Sequence, residues 1–83
     1  MQGIITHLNH NRGMYSVELS DGSYTVFELI DSNKLEKGNI ISGDLEEFGD
    51  CTLFNQTEDE HFEAYIQNIG LNSELAKNRT FLR

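Results

Sequence analysis

Proline is absent from this chain of 83 residues, so no strand is disqualified by a residue that lacks a backbone donor. A single cysteine, Cys51, rules out an internal disulfide and suits a reducing compartment. Its plain account is a small buried apolar residue rather than a catalytic thiol. No apolar run approaches the roughly 18–20 residues of a membrane span, so no membrane association is expected. The N-terminus lacks a basic segment followed by an apolar one, so no secretory leader is expected and the default location is cytoplasmic. Basic residues are few, six Lys and Arg against 14 Asp and Glu, for a net charge of −8. Residues 1–57 hold three bases against nine acids, and residues 58–83 hold three against five. A protein that grips phosphates should be basic at least locally, and no long stretch here is.

What the chain does have is alternation. Ile4, Ile5 and Leu8 sit among residues compatible with a strand, and His10-Asn11-Arg12-Gly13 supplies a turn in which Gly13 is free to take positive φ. From Met14 to Leu19, Tyr15, Val17 and Leu19 point one way, and Met14, Ser16 and Glu18 the other. Ser20-Asp21-Gly22-Ser23 is a tight turn into a third strand, Tyr24 to Ile30, rich in aromatic and β-branched residues. After the loop Asp31-Ser32-Asn33-Lys34 and the turn Leu35-Glu36-Lys37-Gly38, a fourth strand is expected over Asn39 to Leu45, with Ile41, Gly43 and Leu45 on one face. A fifth follows over Cys51 to Gln56. Short strands spaced by Gly, Asp and Asn turns predict a small all-β barrel.

The period then changes. Thr57-Glu58-Asp59-Glu60 has the form of a capping box, with acids suited to the first turn of a helix. Phe62, Ile66 and Ile69 recur at helical spacing with Tyr65 on the flank, and Gly70 can end the helix. Asn72 or Ser73 is placed to cap a second short helix with Leu75 facing inward, and Phe81 and Leu82 either dock on the barrel or fray. The appended helix caps the barrel and enlarges a small core. Alternatively, Phe62, Tyr65, Ile66 and Ile69 offer a surface to a protein partner or a second copy. A helix lying across the sheet face would block it.

Gly3 to Val17 resembles the opening of the cold-shock domain family, G-K-V-K-W-F-N-x-x-K-G-F-G-F-I. Gly3, Asn9 and Gly13 match, and Arg12 stands for the lysine. The family's V-F-V-H-F falls on Val26-Phe27-Glu28-Leu29-Ile30, and its L-E-E-G-Q-x-V-x-F-x-I on Leu35 to Leu45. The resemblance implies a five-stranded oligonucleotide/oligosaccharide-binding (OB) barrel over residues 1–57. It leaves residues 58–83 as a C-terminal helical extension packed on that barrel, one domain in all. It also implies single-stranded RNA or DNA as ligand, met by His7, Asn9, Arg12, Met14, Ser16 and Phe27. Against it, His7 holds the tryptophan position, Met14 and Ser16 replace two phenylalanines, and Leu29 and Ile30 replace the histidine and last phenylalanine. Stacking on aromatics is worth roughly 1–3 kcal/mol per base, so the implied binding is weak. The same alignment points Val26 and Glu28 into the core. The other choice is that the third strand is shifted and Phe27 packs inside.

No other chemistry stands out. His7, His10, Cys51 and His61 include no pair at metal-ligand spacing, so no metal or cofactor is expected. Glu46-Glu47 and Glu58-Asp59-Glu60 fall in a turn and a helix start, where acids belong, and no calcium-loop pattern surrounds them. No nucleophile motif is present, so an enzyme is not expected. The two readings carried forward are a nucleic-acid binder and a protein-interaction or regulatory module that keeps the barrel without binding nucleic acid.

Overall fold

Residues Gln2–Asn9 (β1) and Met14–Leu19 (β2) form the expected hairpin, with Gly13 at φ 68° closing its turn. The structure is a computed structural model that describes residues 1–32 and 34–81, leaving Asn33 of the expected loop and Leu82 of the expected terminal apolar pair outside the described residues. Four more strands follow: Tyr24–Leu29 (β3), Ile40–Ser42 (β4), Gly49–Asn55 (β5) and Glu60–Leu71 (β6); then comes one helix, Ser73–Phe81 (α1). The expected fourth strand is cut to three residues, because Gly43 (φ 139°) turns the chain tightly past β5. A Cβ at Gly43 would lie 2.6 Å from Cδ2 of Leu53.

The strands close into a barrel in the order β1-β2-β3-β6-β5-β4, and every neighbouring pair is antiparallel. β4 returns to lie beside β1, as in a Greek key. The count is six strands rather than the expected five. A ring of strictly alternating strand directions closes only with an even number, and β6 supplies the sixth.

That strand corrects the helix expected over residues 57–70. Thr57 does not cap a helix; its hydroxyl accepts the Ile40 N–H at 2.9 Å. Asn55 makes the turn instead, its Oδ1 accepting the N–H groups of Thr57 (3.0 Å) and Glu58 (3.2 Å), and Asp59 takes φ 57° before the chain reverses. Phe62, Ala64 and Ile66 then point inward and Glu63, Tyr65 and Gln67 outward, the period of a strand. Phe62 and Ile66 are four apart, a spacing that a helix turn and two strand repeats share. Ala64 between them is inward-facing, and it decides the period. The barrel therefore runs through Leu71, past the boundary placed at residue 57.

Inside the barrel, Tyr15 stacks on Phe27 with centroids 5.5 Å apart, and Phe27 meets Phe62 at 5.8 Å. Leu35 and Leu45 enter this core from the loops beside β4. Buried polar groups are paired: Asn55 Nδ2 donates to Asn39 Oδ1 at 2.9 Å, and the Thr25 hydroxyl donates to the Leu45 carbonyl at 2.8 Å. The register of β3 follows the second of the two choices left by the sequence. Phe27 faces the interior, while Val26 and Glu28 face out.

Asn72 caps α1, its Oδ1 accepting the Leu75 N–H at 2.8 Å. The inward residues of α1 are Ala76 and Thr80; Leu75, expected to face in, is exposed.

Candidate functional site

The outer wall of the barrel has two faces of different character. The first is the outward side of β1, β2 and β3, and α1 lies across it. Met14, Val26 and Ala76 form a small apolar cluster there, with Tyr24 and Leu71 at its margin. The Ser16 hydroxyl is fully buried; it donates to the Ala76 carbonyl at 3.1 Å and contacts the Thr80 hydroxyl. Thr80 also donates to Ala76 at 2.7 Å, and the Asn9 side-chain amide donates to the Thr80 carbonyl at 3.3 Å. His7 lies between Tyr24 and Phe81, 6.5 Å from each ring. Its pKa is lowered, first by partial burial and then by the charges of Lys77 and Lys37.

The six residues expected to line a binding groove are thereby separated. His7 and Asn9 are half-buried at the margin of α1, Met14 and Ser16 lie beneath it, and Arg12 is exposed in the β1–β2 turn. Phe27 is in the barrel interior. Phe27 does not share an outer face with His7 and Arg12, because the register of β3 turns it inward. The surface expected from Phe62, Tyr65, Ile66 and Ile69 is also divided. Phe62 and Ile66 belong to the core, Ile69 packs against it, and Tyr65 alone faces outward.

The second face is the outward side of β3, β6 and β5, and no other element of the described chain crosses it. Its central row runs Glu28, Tyr65, Asp50 in register across the three strands. The next row holds Ile30, Glu63 and Thr52. Ile30 N–H donates to the Glu63 carbonyl at 2.9 Å, and the Thr52 hydroxyl donates to Glu63 Oε2 at 2.7 Å. Beyond it, His61 lies against Phe54 with centroids 4.7 Å apart. Ile30 is 55% exposed and Tyr65 41%. The face is acidic for a reason visible in the chain. Between Lys37 and Lys77 there is no lysine or arginine, while nine Asp and Glu fall in that interval, and β3 has no base either. Sequence reasoning missed this face because residues 57–70 were assigned to a helix. The outward alternation of Glu63, Tyr65 and Gln67 was the available signal.

Burial pushes the Cys51 thiol up, and the nearby carboxylates of Asp44, Glu63 and Asp50 push it further, away from the thiolate a nucleophile needs. Burial likewise raises Tyr15, whose hydroxyl meets His10 Nδ1 at 3.2 Å. Among the described residues no three His, Cys, Asp or Glu side chains are grouped to hold a metal ion, and no helix is long and apolar enough to cross a membrane. No family model, curated protein or solved structure matches the chain.

Proposed function

We propose that the protein is a non-enzymatic interaction module that engages another protein through the outer face of β3, β6 and β5. The observation that carries this reading is the seat of α1 on β1, β2 and β3. Helix α1 covers one outer face, and no described element covers the other. The covered face is the one an oligonucleotide would need under the cold-shock resemblance. The motif positions themselves are not open to a base: the aromatic of β3 in that motif is inside the barrel, and Met14 and Ser16 are under the helix. A net charge of −8 adds repulsion of phosphates. The lone, deactivated cysteine suits a non-enzymatic protein of a reducing compartment such as the cytoplasm.

The test is a heteronuclear NMR titration of the full chain at low and at higher salt, with mixed single-stranded DNA and RNA oligomers and, separately, with octalysine. The expected result is no perturbation by the oligomers, and salt-sensitive shifts at Glu28, Asp50, Glu63 and Tyr65 with octalysine. Oligomer-induced shifts confined to residues 7–16 would return the function to nucleic-acid binding.

A further inference from the structure

We infer that the row Glu28–Tyr65–Asp50 is a seat for an arginine side chain of an extended segment of a protein partner. The inference rests on the interaction reading above and gives that partner its chemistry.

The three residues are direct cross-strand partners on the outward side of β3, β6 and β5. Such neighbours have Cβ atoms about 4.5–5.5 Å apart, so a carboxylate stands on each side of the Tyr65 ring. Gln67 Nε2 donates to Glu28 Oε1 at 3.1 Å, which holds that carboxylate beside the tyrosine while leaving its other oxygen to accept. Tyr65 remains 41% exposed between them. A planar guanidinium lies flat on such a ring and forks toward carboxylates at its rim, whereas a lysine ammonium, although also attracted to the ring face, is a compact, strongly hydrated point charge that neither lies flat nor forks. The strands of this face supply no cation of their own, because they contain no lysine or arginine. Burying an aromatic between two carboxylates under an apolar partner would leave charges unpaired, at a cost that excludes a plain hydrophobic occupant.

The barrel also constrains how the partner lies. At the centre of this face β6 is hydrogen-bonded on both sides, to β3 and to β5, so a partner lying over Tyr65 is held by side chains. Ile30, 55% exposed, sits in the next outward row, one strand repeat from Glu28. An extended segment with an apolar residue two positions from its arginine meets both rows.

The experiment compares acetylated, amidated (Gly-Arg)4 and (Gly-Lys)4 peptides on the native chain, Tyr65→Ala and Tyr65→Phe, by NMR titration at fixed ionic strength. Single-stranded oligomers are titrated in parallel. The native protein is expected to bind the arginine peptide about 3-fold more tightly than the lysine peptide, the scale of an exposed cation–π contact. That preference falls in Tyr65→Ala, which keeps only the fork toward the carboxylates, and survives in Tyr65→Phe. Tyr65 is on the surface, so Tyr65→Ala folds, and its unchanged amide spectrum away from β6 verifies this. Equal affinity for the two peptides, or a preference unaltered by Tyr65→Ala, overturns the arginine seat while leaving the interaction module in place. Binding of oligomers with no response to either peptide overturns both.

Discussion

The two outer faces of this barrel belong to one sheet, and one chain treats them in opposite ways. Under α1 the outward residues are Met14, Ser16 and Val26, apolar or able to satisfy a hydroxyl on a helix carbonyl. On the bare side they are Glu28, Asp50, Thr52, Glu63 and Tyr65. Carboxylates resist burial unless each finds a cation and further hydrogen bonds, so a helix could not settle there without large desolvation costs. β3 shows the division within six residues, since Val26 faces α1 and Glu28 faces solvent. The polarity of the outward positions thus selects which face the C-terminus covers. What stays exposed is the part that keeps its charge.

The largest expected effect separates interior from surface. Phe27→Ala removes a ring packed between Tyr15 and Phe62 and should destabilise by about 3–5 kcal/mol. Urea unfolding measures it, and a loss under 1 kcal/mol would place Phe27 on the wall rather than inside. Next, Ala76→Arg forces a long charged side chain against Met14 and Val26 and should cost about 1–3 kcal/mol. Hydrogen exchange should then show lost protection over residues 73–81 with the barrel amides still protected. Retained helix protection would mean that the face is not sealed as described.

The smallest effect concerns His7 at the margin of the covered face. Its folded pKa lies below its ordinary value, so as pH falls below about 6.5 the unfolded chain takes up the proton first. Stability is full above that pH and declines as the pH drops toward the folded value. His7→Gln should flatten the pH dependence of thermal melts across this window; an unchanged slope would mean that His7 does not carry the dependence.

The β1–β2 hairpin, the turn at Gly13 and the strands β2, β3 and β5 were legible because alternation and turn residues agree along the chain. The same is true of a helix cap at Asn72 or Ser73, which depends on local hydrogen bonds alone; the structure gives it to Asn72. Residues 57–70 were not legible in this way. Thr57 to Glu60 imitates a capping box, and the spacing of Phe62 and Ile66 fits either period. Pairing of β6 with both β3 and β5 settles it, by giving its backbone two sets of ladder partners.

Local patterning was therefore enough for a small acidic β-protein with a short capped helix at its end, since alternation, turn chemistry and charge are properties of neighbouring residues. The number of strands, the inward turn of Phe27, the cover over Met14 and Ser16 and the alignment of Glu28, Tyr65 and Asp50 all depend on barrel closure. Closure brings together residues far apart in the chain, and the register of those long-range pairs is set by which partners bury apolar surface while leaving carboxylates in water.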